Sequence, residues 1–307
     1  MKIISYFSYK GGAGRSTLAY NTIPILASEY FRPTKESPMI VVDMDIDSCG
    51  MSYLLKADKH ANATNCVQYL LGNGCDMRKT ATISEHPFLK KLCPVGNAYG
   101  YPDNDAILLL PALDGQAITA GNSNYSDSNH SFKQALDSFI TVCSSFGVPA
   151  IIFDSAVGNN ATANISNEEA DVIVCCMRPT IQFTNGTFRF LCCLENDSDN
   201  EVSKLISPGK DIILVPNVIP QNEVVIGGAR YPDTAVSKIC NDFITRFDED
   251  SCHYYHFDML DRDEFGIPAV DRFMWAEGLL YTQKELNDNE RLALSRYRKL
   301  AALIDSI

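Results

Sequence analysis

The chain has 307 residues, 46% of them apolar, and a formal net charge of −12. That apolar share supports a sizeable core, while no run approaches the roughly 18 uninterrupted apolar residues that a membrane span needs. The acidic balance disfavours DNA as a partner, because phosphate binding needs Lys and Arg. Here these are scattered, at Arg78-Lys79, Lys90-Lys91 and Arg291, Arg296, Arg298 and Lys299.

In chain order, the apolar run Ile3–Phe7 reads as a buried strand, followed by a glycine-rich turn over Lys10–Thr17 and a helical pattern over 16–31. Further strands are expected at Met39–Met44, Ala106–Leu110, Ala150–Phe153, Val172–Met177, Asp211–Val215 and Tyr254–Met259. Helical patterns fall around 132–146, 181–194, 234–246 and 284–305. Short continuous apolar runs alternating with longer helices predict an α/β fold, doubly wound, with a mostly parallel sheet covered by helices on both faces. Residues 1–307 are expected to form a single domain. Two stretches rich in Gly, Asn, Ser and Asp, Gly96–Asp105 and Gly121–His130, read as loops that bracket the 106–110 strand. They make the interval 55–135 the expected place for a lineage-specific insertion.

The eleven cysteines contain no C-x-x-C spacing, and Cys175-Cys176 lies inside an apolar strand run, so they are expected to be reduced and structural. The N-terminus enters a strand and the glycine turn at once, with no signal-peptide pattern, which predicts a cytoplasmic protein. The five histidines show no ligand spacing.

The chemistry concentrates in Lys10-Gly11-Gly12-Ala13-Gly14-Arg15-Ser16-Thr17. A strand, a glycine turn and a helix form the context in which glycines bind phosphate. They permit positive φ and let successive N–H groups converge on an anion, and the helix N-terminus adds partial positive charge. Arg15 stands where an ordinary phosphate loop has lysine, and its planar fork suits phosphate oxygens. Asp43, Asp45 and Asp47 alternate beyond the end of the second strand, so on an extended chain they share one side. That is the sheet end where open α/β folds bind ligands.

The glycine motif resembles the deviant Walker A motif of the ParA/MinD-type ATPases, KGGxGK followed by two Ser or Thr, in the variant where arginine replaces the second lysine. Val41-Val42-Asp43-Met44-Asp45-Ile46-Asp47-Ser48-Cys49-Gly50 resembles that subgroup's D-x-D motif, with Cys49 at the usual proline, and Ala150-Ile151-Ile152-Phe153-Asp154-Ser155-Ala156 resembles its Walker B strand. The resemblance implies an ATPase, slow because of Arg15, that binds ATP and Mg²⁺ and acts as a switch: a nucleotide-dependent homodimer read by a protein partner. Gly11, Gly12, Ala13, Gly14, Arg15, Ser16 and Thr17 would bind phosphate. Ser16, Asp43 and Asp154 would bear on Mg²⁺, and Asp45 would position the attacking water. Lys10 would cross the dimer interface to the other subunit's nucleotide. Asn217 resembles the family's adenine contact, with an Asn turn before Pro220 as the alternative, and Ile267-Pro268 its second base-side segment. Asp47 is equally readable as a solvated loop acid.

The alternative function is a nucleotide-sensing module with little or no turnover. A tyrosine kinase would need a C-terminal tyrosine cluster, and only Tyr281 and Tyr297 follow residue 256. An iron–sulfur relative would need a cysteine soon after Asp154. The amphipathic stretch Glu290–Ile307 reads as a packing helix rather than a membrane-targeting one, since it carries Asp305 and lacks terminal Lys, Phe or Trp.

Overall fold

The computed structural model describes residues 1–59, 67–112, 129–196, 210–221, 224–231, 233–246, 255–256, 258–260, 266–274 and 278–307. Its centre is β1 (Lys2–Ser8), which pairs in parallel with β5 (Ala150–Val157) on one side and β6 (Val172–Met177) on the other. Beyond β5 lie β2 (Met39–Asp43), β4 (Ile107–Leu110) and the two-residue antiparallel edge β3 (Cys93–Pro94). Beyond β6 lie β7 (Asp211–Pro216) and β10 (Tyr255–His256). The sheet order is therefore β10-β7-β6-β1-β5-β2-β4-β3. Chain order reverses around β1, and the crevice beyond its C-terminal end is the place such folds use for ligands.

The strands read as unbroken apolar runs because helices cover both faces. Ile40, Val42, Ile151 and Phe153 point into one core, and Met39, Val41, Ala150 and Ile152 into the other. Residues of α3 (Val67–Asn73), α4 (Asn129–Ser145) and α5 (Ala161–Glu169) join the first core. The second receives α1 (Arg15–Ile25), α2 (Gly50–Leu54) and α8 (Asp288–Ser306). The last of these is the expected packing helix. Ala293, Tyr297, Leu300, Ala301 and Ile304 are buried, and α8 packs on α1. It starts at Asn287, whose side chain accepts the Glu290 N–H while Glu290 reaches back to the Asn287 N–H. Such a reciprocal cap satisfies two otherwise orphaned donors.

Several elements differ from the sequence reading. The helix expected over 16–31 is α1 followed by a π-helical turn, Leu26–Phe31, just after Pro24, which has no N–H to give the helical ladder. The strand expected at Tyr254–Met259 is only β10 and a 3₁₀ turn, Asp258–Leu260, and Tyr254 lies outside the described residues. Gly96–Asp105 carries 3₁₀ turns at Gly96–Tyr99 and Asn104–Ala106. Residues 121–128 of the other expected loop lie outside the described residues, while Asn129 and His130 open α4. Within the interval 55–135, α3 and β4 are built into the body, β4 lying directly beside β2. The remaining helices are α6 (Ile181–Asn196) and α7 (Asp233–Arg246). A separate hairpin, β8 (Val224–Ile226) and β9 (Ala229–Tyr231), turns at Gly227-Gly228. Among the described residues, no helix is long and apolar enough to cross a membrane.

Candidate functional site

The glycine turn leaves β1 at its C-terminal end and enters α1 through Gly14, which caps the helix in the left-handed region at φ 78°. Gly12 has φ 82°, so both turns require residues that tolerate positive φ. The loop is held from beneath. Asn217 Nδ2 donates to the Ala13 carbonyl (2.8 Å) and the Gly14 carbonyl (3.2 Å), and the Cys176 thiol donates to Ala13 O (3.2 Å). From the side, Gly186 of α6 lies so close to the Tyr9 ring that a Cβ there would come within 2.5 Å of it. Neither Cys176 nor Gly186 carries a signal in the sequence, because the contacts are tertiary.

Directly after the loop is a buried ion cluster. Arg15 Nε lies 2.7 Å from Asp154 Oδ1, and Arg15 Nη2 lies 2.7 Å from Asp45 Oδ2. Burial works against the guanidinium charge, but Asp154 and Asp45 outweigh it, so Arg15 stays firmly protonated. Asp43 ends β2 beside Asp154, in the register that pairs these two residues. Its Oδ2 accepts from the Ser52 N–H (2.8 Å) and the Ser52 hydroxyl (2.6 Å). Burial, and then the Asp154 charge, push the Asp43 carboxyl up to about 7. Asp154 is raised by burial and pulled back by Arg15 and by the Ser16 hydroxyl. Ser52 is a site residue the sequence reading missed.

One guanidinium thus serves two carboxylates, Asp45 and Asp154, with Asp43 beside Asp154, which leaves room for positive charge. Two buried polar atoms of the cluster, Arg15 Nη1 and Asp154 Oδ2, have no partner. One is a donor suited to a phosphate oxygen, the other an acceptor suited to a metal-bound water. Ser16 Oγ lies 3.4 Å from Arg15 Nη2. Among the described residues, no three His, Cys, Asp or Glu side chains form a closed metal cage. Mg²⁺ at phosphate sites does not need one, since it keeps waters and takes phosphate oxygens.

Of the expected residues, Arg15, Ser16, Asp45 and Asp154 come together with Asp43 beside Asp154, and Asn217 reaches the loop, while one acid of the D-x-D stretch is an exception. Lys10, Gly11 and Gly12 lie on the accessible part of the loop, Ala13 is buried, and Thr17 is in the first turn of α1. Lys10 is half-buried. Pro268 comes beside the Asn217 segment through a parallel bridge to Ile219. The exception is Asp47. It does not share a side with Asp43 and Asp45, because the chain turns at 46–48 and leaves it exposed. The alternation expected of an extended chain ends where the strand does. After Pro268 the chain makes a 3₁₀ turn at Asp271–Met274, and residues 275–277 lie outside the described residues.

No family model and no curated protein matches this chain. Solved structures do. The ATP complex of a single-substitution variant of Cyanothece McdA is 14% identical with a TM-score of 0.64, covering 100% of this chain and 97% of that one. A plasmid partition protein from Borrelia burgdorferi is 16% identical with a TM-score of 0.57, covering 100% and 99%. The septum site-determining protein MinD from Pyrococcus horikoshii, complexed with Mg-ADP, is 17% identical with a TM-score of 0.54, covering 99% and 96%. Eight-stranded order, loop position and these likenesses over the full length agree: the chain has the fold of the ParA/MinD-type P-loop NTPases.

Proposed function

We propose that this protein binds ATP with Mg²⁺ and hydrolyses it slowly, as a switch that forms an ATP-sandwich homodimer and signals to a protein partner. The observation that carries the reading is the pair of unpartnered buried atoms, Arg15 Nη1 and Asp154 Oδ2, in an ion cluster immediately behind the glycine loop. Burying polar atoms unpaired is costly, and a phosphate with its metal supplies the missing partners. The ligands of the similar structures, ATP on McdA and Mg-ADP on MinD, support the same ligands here.

In this mechanism the loop N–H groups and Arg15 bind the phosphates. Ser16, with Asp43 and Asp154 through waters, would hold Mg²⁺, which when bound neutralises phosphate charge. Asp45 orients the attacking water, and Lys10 of the partner subunit neutralises charge that develops on the nucleotide. Pro268 belongs to the base-side segment, and Asn217, expected as the adenine contact, has its amide nitrogen on the carbonyls of the phosphate loop. The same reading takes residues 1–307 as one cytoplasmic domain, with a lineage-specific insertion within 55–135.

A second reading, a nucleotide sensor with little turnover, is favoured by one contact. Asp45, the residue assigned to the water, is held by Arg15 at 2.7 Å. Steady-state phosphate release with Mg-ATP decides between them. Turnover that Asp45→Ala abolishes supports the switch, whereas binding without turnover in the wild type supports the sensor.

A further inference from the structure

We infer that Asn217 is a positioning residue for the phosphate loop: it aims the loop's N–H groups at the nucleotide's phosphates rather than recognising the base. This rests on the nucleotide-binding reading above and refines the role of one residue within it.

Asn217 sits at the end of β7, where its own N–H donates to Met177 O at 2.7 Å and ties it to β6. Its side chain is almost fully buried, 4% exposed. The amide nitrogen is committed to two carbonyls of the loop, Ala13 O and Gly14 O, and lies 3.4 Å from Cys176 Sγ. Because both oxygens are acceptors only, the NH₂ end must face them. A trans peptide points its N–H opposite to its C=O. Holding Ala13 O and Gly14 O down toward Asn217 therefore turns the N–H groups of Gly14 and Arg15 up, away from the core. Donation to a carbonyl also polarises its peptide, which strengthens the N–H on the far side.

The fit is close. A Cβ on Gly14 would lie 2.7 Å from Asn217 Nδ2 and 3.1 Å from Val218 Cγ2. Val218 itself has φ 58°, a strained value for a β-branched residue. Such strain persists only where the surroundings enforce it. Here it places Val218 against Gly14, next to the amide that holds the loop.

Calorimetric titration of the whole chain with Mg-ATP and, separately, with inorganic tripolyphosphate and Mg²⁺ tests this. Tripolyphosphate has the phosphates and no base. Asn217→Ala should weaken both ligands by a similar factor of about ten. Asn217→Asp, nearly the same shape, should weaken both further by setting a carboxylate against two carbonyls. Loss of ATP affinity with tripolyphosphate binding unchanged would assign Asn217 to the base and overturn the inference, as would no loss of either. If the Asn217 variants do not fold by circular dichroism, Cys176→Ala removes the second donor to Ala13 O. A matched, smaller loss of both ligands then supports the inference, and unchanged binding of both overturns it. A wild type that binds neither ligand overturns the nucleotide reading itself, an outcome separate from any pattern among variants.

Discussion

Arg15 Nη2 lies 2.7 Å from Asp45 Oδ2, so the residue expected to grip phosphate and the residue expected to direct water grip each other. The same guanidinium reaches Asp154 through Nε. A planar fork can serve two carboxylates at once, whereas a lysine ammonium is a single compact charge. The arginine in this loop thus changes more than the phosphate contact. Its Nε and Nη2 hold the two carboxylates while Nη1 has no partner, so in the proposed mechanism Nη1 is the donor left for a phosphate oxygen.

Arg15→Lys should keep affinity for Mg-ATP within about tenfold, or about 1.4 kcal/mol, since the charge is retained. Turnover should rise, because a lysine cannot hold Asp45 and Asp154 together and can follow charge moving within the phosphates. Titration calorimetry and phosphate release measure the two effects separately. A large loss of binding would show that the loop is shaped around the guanidinium.

Asp45→Ala should retain ATP binding and lose turnover by about a hundredfold or more, the usual scale for a group acting on proton transfer. It should also accumulate dimer with ATP on a sizing column. Without nucleotide, removing one partner of buried Arg15 should lower stability by about 1–3 kcal/mol. Denaturant unfolding of nucleotide-free protein reads that loss. Unchanged turnover would place the catalytic role elsewhere.

Ser16→Ala should weaken Mg²⁺-dependent ATP binding more than Mg²⁺-independent ADP binding, because the hydroxyl is assigned to the metal and lies in the cluster with Arg15 and Asp154. Calorimetry with and without Mg²⁺ checks it, and equal loss of both contradicts the assignment.

Lys10→Ala should leave ATP binding by the monomer mostly intact while ATP-driven dimerisation and hydrolysis fail together. Lys10 is only half-buried and makes no hydrogen bond or ion pair among the described residues, so its loss costs the single chain little. Two triphosphates facing each other repel by several kcal/mol, on the order of the Coulomb energy at an effective dielectric near 20. Light scattering with and without ATP decides it. A variant that dimerises normally would sink the sandwich mechanism.

Away from the site, Glu169 at the end of α5 is pushed up to about 7 by burial, then by the neighbouring Asp137. Lys133 Nζ, 3.8 Å away, only partly offsets this. Between its ordinary value of 4.5 and about 7 the folded chain holds a proton that the unfolded chain has released. The Glu169 contribution to stability therefore falls as pH rises through that window. Relative to wild type, Glu169→Gln should be more favourable at pH 8 than at pH 5 in denaturant titrations. A difference independent of pH would reject the account.

The sheet was legible because strands buried on both faces must be apolar at every position, as in Val172–Met177, whose bounds agree with the sequence reading. The loop and the carboxylates were legible because their chemistry fixes residue types at fixed spacing. What escaped was short or decided by tertiary contact. The five residues of α2 are too few to show a period, yet they bring Ser52 to Asp43. Helix α5 is largely polar, Ala-Thr-Ala-Asn-Ile-Ser-Asn-Glu-Glu, and its start was signalled only by the Asn160 cap on the Ala163 N–H. Gly227-Gly228 between short apolar runs is a hairpin signal that passed unread. Asp47 shows the opposite error, a period extended beyond the strand that justified it.

Cys176 has a consequence for chemistry at the bench. It is fully buried in β6, and burial pushes its thiol up to about 12, so almost no thiolate exists at neutral pH and alkylating reagents cannot reach it. Modification then requires the central strands and the loop above them to part. Peptide-resolved alkylation of Cys176 over hours is a clock for that opening, and a ligand that bridges the loop slows the clock in proportion to its occupancy. Cys49, at the turn after Asp45 and only partly buried, should be alkylated far sooner in the same sample. One native chain therefore carries both the slow label and its internal standard.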